Sequence, residues 1–184
     1  MWTAAVLAGG QGRRLGGRDK SALQVGDRSI LARQIDILRP LAAHLLIISA
    51  SDDLVPGAGA LGGLYTALVK APTEQVLVIA CDMPFISAPL LEALARGGEG
   101  VDVALPRDEH GRHPLCASYQ RRVAPHLKRS IDAGILRIGD ALHGLQVREL
   151  GPDELEPFNR NGNVLFNVNT PDDYVSARLA AEHE

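Results

Sequence analysis

The sequence predicts an α/β fold, a three-layer αβα sandwich on a mostly parallel sheet. Three observations carry that prediction. Strand candidates alternate with helix candidates along the 184 residues, the order that builds an α/β sheet. The candidates Leu45–Ile48 and Val76–Ala80 are unbroken apolar runs, as expected of strands covered on both faces. The first apolar run, Ala4–Ala8, opens directly into a loop with glycines at 9, 10, 12, 16 and 17. Open parallel sheets keep their ligand loops at that place, outside the carboxyl ends of the strands.

The elements follow in order. Ala4–Ala8 is the first strand, and Ser29–Leu41 a helix with Ile30, Leu31, Ile35, Leu38 and Leu41 at helical spacing, ending near Pro40. Leu45–Ile48 is the next strand. Leu61–Ala71 reads as a helix opened by glycines and closed before Pro72. Gln75–Cys81 is the most buried strand, and Ala88–Ala95 a helix that tolerates Pro89 in its first turn. Val101–Leu105 and Leu115–Tyr119 are strands, Val123–Ala133 a helix and Ile138–Leu142 a short one. Gln146–Leu150 and Leu165–Val168 are extended. Pro171–Ala181 closes the chain as a helix with Thr170 as its N-cap. No repeat, linker or low-complexity tract divides residues 1–184, which read as a single domain long enough to bury a full core.

Composition removes several classes of function. A net charge of −3 gives no electrostatic case for nucleic acid or an anionic membrane, and no apolar run approaches the roughly 20 residues of a membrane span. The first residues lack a secretory signal, so a cytoplasmic location is expected. Cys81 and Cys116 have no metal-type spacing and read as small core residues. His44, His126, His143 and His183 are scattered, and the pairs Arg121-Arg122 and Lys128-Arg129 read as solvated helix faces. The cations that stand out are Arg13, Arg14 and Lys20, inside the glycine-rich loop.

That loop suits a polyphosphate: glycines let backbone N–H groups approach the oxygens, and the cations offset their charge. It is neither a Walker A loop nor a dinucleotide fingerprint, because Gly10-x-Gly12 is followed three residues later by Leu15. Asp82 is the second signal. A carboxylate leaving an almost wholly apolar strand must be paired, hydrogen-bonded or metal-bound. One such carboxylate suits magnesium, which takes one or two protein carboxylates with phosphate oxygens and water. Capping of the helix at 88 is the alternative.

The pattern Leu-Ala-Gly-Gly-x-x-x-Arg-Leu-Gly-x-x-x-Lys resembles the start of nucleotidyltransferases on a Rossmann-like sheet, the nucleotide-diphospho-sugar transferase type. Together with Gly59-Ala-Leu-Gly-Gly63, Cys81-Asp-Met-Pro-Phe85 and Phe166-Asn-Val-Asn-Thr-Pro171, it resembles the molybdenum cofactor guanylyltransferases over most of the chain. The resemblance implies transfer of GMP from GTP to the phosphate of molybdopterin, with magnesium as cofactor. GTP, molybdopterin and other proteins of molybdenum cofactor biosynthesis are the implied partners. It implies a nucleotide site at Leu7, Ala8, Gly9, Gly10, Lys20, Ser49, Gly62 and Asp82, with Asp82 the metal ligand and Arg14, Lys20 and Asp82 catalytic. It also implies a pterin site at Asn167 and Asn169. Those two alternate along an extended segment, so both amides face one side; a hydrogen-bonded turn before Thr170 is the alternative. Gly62 and Gly63 open a helix whose N–H groups could receive an anion or a base edge, or serve tight packing alone. His113, before Pro114, falls where the family has a His-Pro pair, and reads either as a pterin contact or as a structural residue of a polar loop.

Two departures stand out. Ser49 occupies a position where the family usually has Asn. The family also carries an Asp on an extra strand before its Gly-Pro-Leu-Ala-Gly segment, whereas only residues 52–58 separate Ser51 from Gly59 here. Either the nucleotide site is abbreviated or chain is missing at this point. The frequency of mobile loops beside nucleotide sites favours the second, and neither Asp52 nor Asp53 is assigned as the replacement.

Overall fold

A computed structural model describes residues 1–9, 20–159 and 162–182. The strands are β1 (Thr3–Leu7), β2 (Gln24–Val25), β3 (Arg28–Ser29), β4 (His44–Ile48), β5 (Gln75–Ala80), β6 (Val103–Asp108), β7 (Gly111–Arg112), β8 (Cys116–Gln120) and β9 (Val147–Leu150). The helices are α1 (Ile30–Leu38), α2 (Gly59–Lys70), α3 (Ala88–Gly97), α4 (Ala124–Asp132), α5 (Ile138–Ala141), α6 (Pro152–Leu155) and α7 (Pro171–Ala181). The main sheet runs β4-β1-β5-β8-β6-β7, with β9 paired to β6. β4, β1 and β5 are parallel neighbours, β6 and β9 pair in parallel, and β8 runs against β5 and β6.

Alternation along the strands divides the core in two. Ala5, Leu7, Val76 and Val78 point to the face covered by Leu61, Leu64 and Leu68 of α2 and Leu127 of α4. Ala4, Val6, Leu77 and Ile79 point to the other, covered by Leu38 of α1 and Leu90, Leu91 and Leu94 of α3. Both faces of β1 and β5 are therefore dry, which is why their sequences lack polar alternation. Each fully buried leucine or isoleucine adds about 1.5–3 kcal/mol to the fold.

A third cluster was not legible beforehand. β2 and β3 form a small hairpin, with Gly26 at φ +67° in its first turn position. Its Val25 and the preceding Leu23 pack with Ile30, with Val168 and with Ala177 of α7, so the last helix is anchored beside the start of α1.

Two expectations change. Leu165–Val168 pairs with no strand among the described residues; Val168 N–H donates to Asp82 O at 2.8 Å. The segment 49–58 runs unbroken from β4 to α2 through one 3-10 turn at Ala50–Asp52, and Ala58 N–H closes on Val55 O at 3.2 Å. The connection is short because its sequence is short; no chain is missing.

Candidate active site

Register brings the site together. Leu7 pairs with Ile48 on one side and Ala80 on the other, so three parallel strands end level and their loops leave side by side. The cavity between them, about 660 Å³, is lined by Leu7, Gly9, Lys20, Ser49, Asp53, Gly63 and Asp82, among others. Such a volume is in the range of small-molecule sites.

Lys20 is the joint of the site. Its Nζ donates to Asp82 Oδ2 at 3.1 Å and to Asn169 Oδ1 at 2.6 Å, so residues far apart in the chain meet on one ammonium. The side chains of Lys20 and Asp82 are 14% and 17% exposed, which strengthens their attraction relative to a surface pair. Asp82 Oδ1 is buried without a hydrogen-bond partner among the described residues. A hard anionic oxygen in that position fits a divalent cation, and Lys20 leaves it free by taking the other oxygen. No group of three His, Cys, Asp or Glu that could hold a metal ion occurs among the described residues.

Asn169 is held by the start of α7. Asp173 accepts from the N–H groups of Asn169 (2.9 Å) and Thr170 (2.8 Å), while the Thr170 hydroxyl accepts from Asp173 N–H. Burial pushes the Asp173 carboxyl up, but those N–H groups, the Thr170 hydroxyl and the Lys20 charge together hold it below the usual range. Thr170 is the N-cap, as its sequence position implies.

A second cavity, about 410 Å³, adjoins the first across Leu115, which lines both. Met83 and Ile138 give it apolar surface, and Arg112, His113 and Asn167 polar groups. His113 Nε2 lies 2.8 Å from Asp108 Oδ2 without hydrogen-bond alignment, and Arg112 is paired with Glu149. Cys116 also lines this cavity, but burial pushes its thiol up to about 12, which leaves it unreactive.

Several expected residues sit differently from their sequence reading. Gly10 and Arg14 lie outside the described residues. Ala8 donates its N–H to Ile48 O and continues the strand line beside the cavity. Ser49 lines the cavity, yet its hydroxyl donates to Asp52 Oδ2 at 2.6 Å and meets Ser51. α2 starts at Gly59, so the Gly62 N–H is spent inside the helix on Ala58 O. Gly62 instead makes room for Asp53: a Cβ there would sit 2.8 Å from Asp53 Oδ2, and Gly63 is the residue that faces the cavity. Asn167 and Asn169 do not share one strand face. Asn167 turns its amide back to Leu165 O at 2.9 Å and lines the second cavity, while Asn169 goes to Lys20.

Two residues escaped the sequence reading. Asp53 lines the first cavity, with its Oδ1 accepting from Val55 N–H (3.0 Å) and the Thr66 hydroxyl (3.2 Å). Nothing in the sequence separated it from Asp52. The other is Gln34, an amide inside the apolar stripe of α1, whose signal was its place four residues from both Ile30 and Leu38.

Parallel strands β4, β1 and β5 ending level, with a lysine-bridged aspartate at their carboxyl ends, are the setting of a transferase site. The sequence profile of the MobA-like NTP transferase domain matches residues 4–145. The chain belongs to this family and is a nucleotidyltransferase. The probable molybdenum cofactor guanylyltransferase of Pelotomaculum thermopropionicum is 34% identical, over 98% of this chain and 94% of that protein. The molybdenum cofactor guanylyltransferase of Desulfosudis oleivorans is 27% identical, over 97% and 95%. Among solved structures, molybdopterin-guanine dinucleotide biosynthesis protein A from Archaeoglobus fulgidus superposes with a TM-score of 0.86 at 28% identity, covering 99% of this chain and 100% of that one. Among the described residues no helix is long and apolar enough to cross a membrane.

Proposed function

We propose that the chain is a GTP:molybdopterin guanylyltransferase. The observation that carries this reading is Lys20, in the wall of the larger cavity, bridging Asp82 and Asn169. The larger cavity is the place for GTP, the smaller one for the pterin, and the reacting phosphates would lie between them at Asp82 and Lys20. An oxygen of the molybdopterin phosphate attacks the α-phosphorus of GTP. The bond from that phosphorus to the oxygen bridging to the β-phosphate breaks, and pyrophosphate leaves with the electron pair.

The physical difficulty is the meeting of two anions, so catalysis is a matter of placing positive charge and fixing the in-line geometry. Lys20 supplies one charge in the larger cavity, and Arg14 is proposed as a second. Asn169 fixes the direction of the Lys20 ammonium. Gly9, exposed where the strand ends, lets backbone approach the phosphates, and the N-terminus of α2 faces the same cavity through Gly59 and Gly63. Magnesium, held through Asp82, would neutralise the crowded phosphate oxygens when bound. No protein base is needed, because a phosphate monoester is already an anionic nucleophile near neutral pH. The amide of Asn167 and the surface of Met83 and Ile138 suit a flat polar heterocycle.

Calorimetric titration of GTP, CTP and ATP with magnesium, repeated after chelation, tests the reading. Metal-dependent preference for GTP is expected. A preference for CTP would move the assignment to cytidylyl transfer, and binding that ignores the metal would remove Asp82 from its proposed role.

A further inference from the structure

The buried face of α1 consists of Ile30, Gln34 and Leu38, one turn apart. Gln34 is fully buried, and its Oε1 has no partner among the described residues. An apolar side chain would fill this stripe without leaving an oxygen unpaired, so packing alone does not account for an amide here. What the amide adds is a two-pronged donor. Gln34 Nε2 donates to Ala80 O at 2.8 Å and to Met83 O at 3.0 Å, the carbonyls that bracket the Cys81-Asp82 step.

The rest of the loop is tied in the same manner. Cys81 N–H donates to Leu7 O, Asp82 O accepts from Val168 N–H, and Pro84 O accepts from Arg33 Nε at 3.2 Å. Residues 80–84 are therefore held from the sheet, from the 167–169 segment and from α1. Of these anchors Gln34 alone takes carbonyls on both sides of Asp82. We infer that Gln34 is a positioning residue, which sets the backbone from which Asp82 aims its carboxylate into the cavity. This rests on the reading of Asp82 as the metal carboxylate.

The test compares Gln34→Met, which keeps length and volume but loses the donor, with Leu38→Ala, which loosens the same helix face without touching the loop. Manganese replaces magnesium as the probe: its affinity is read by the loss of free-ion spin signal in the presence of GTP, beside amide hydrogen exchange of segments 80–84 and 167–169. Gln34→Met is expected to weaken manganese binding about tenfold or more and to accelerate exchange in both segments, as loss of an outer-shell support does. Leu38→Ala is expected to lower thermal stability with manganese affinity kept. Equal effects in the two variants, or unchanged exchange in Gln34→Met, would overturn the inference, as would a loosened loop with normal manganese affinity. If the wild type binds no manganese with GTP, the metal reading itself fails, and exchange alone then decides whether Gln34 sets the loop. Should Gln34→Met not fold, Gln34→Asn, one methylene too short to bridge both carbonyls, takes its place with the same expectations.

Discussion

The two walls of the larger cavity are built on different terms. On one side, the loop after β5 has its carbonyls at 80, 82, 83 and 84 engaged by α1 and by Val168, and Asp82 meets Lys20, which also donates to Asn169. On the other, the segment after β4 is one 3-10 turn and a few turn residues, held by Ser49–Asp52–Lys70 and by Asp53 on Val55 and Thr66. The first wall is over-determined and the second is tied mainly to itself and to α2. The difference teaches where accuracy matters. Charge placed on reacting phosphates loses its effect with small displacements, whereas a wall that contacts the rest of a nucleotide can give way and still bind.

The largest effects should therefore follow from the tightly held wall. Asp82→Ala is expected to lower turnover by roughly 10³-fold with the thermal transition little changed. Near-normal activity in that variant would remove the carboxylate from the chemistry. Lys20→Ala is expected to act with opposite signs on two ligands. GTP affinity and turnover should fall, turnover by roughly 10²-fold, while manganese alone should bind more tightly once the ammonium charge no longer stands beside Asp82. Parallel weakening of both would mean that Lys20 supports Asp82 structurally instead of sharing it with the metal.

An intermediate effect is expected where the second wall leans on α2. In Gly62→Ala the new Cβ would lie 2.8 Å and 3.0 Å from the Asp53 carboxylate oxygens and 3.0 Å from Val55 O, which is backbone and cannot swing aside. Displacing this wall should cost about 1–3 kcal/mol of stability. GTP affinity should drop, yet turnover at saturating nucleotide should stay close to that of the parent. A fall in turnover as large as that of Lys20→Ala would break the comparison, because it would place the second wall in the chemistry too.

The legible parts of the molecule were those fixed by local chemistry. Continuous apolar runs gave β1 and β5, helical spacing gave α1, and the lone carboxylate after an apolar strand marked Asp82. Thr170 declared itself as a cap by the proline after it. The contacts that assemble the site are long-range: Lys20 and Asn169 meet because α7 packs on the β2–β3 hairpin, and nothing local encodes that approach. Asn167 and Asn169 misled for a related reason, since alternation implies a shared face only where a strand is paired, and this segment is not. Gly62 carried the right signal, need for space, but the space is occupied by Asp53 and not by a ligand.

The smallest expected effect is a pH response of the second wall. The Ser49 hydroxyl, then Lys70 and the Ser49 N–H, hold the Asp52 carboxyl down at about 2. The unfolded value is near 3.9. A depressed carboxylate stabilises the fold fully above its unfolded value, and that contribution is lost as pH falls from about 4 through about 2. Asp52 is reached by solvent and its partner Lys70 lies on the surface, so screening keeps the effect small and salt should reduce it further. Melting temperatures of the parent and of Asp52→Asn, measured from pH 5 to pH 2 at low salt, should converge as acid protonates Asp52. Curves that stay parallel over the whole range would show that the 49–52 turn is held by its backbone alone, and that the exposed wall is more securely built than its partners imply.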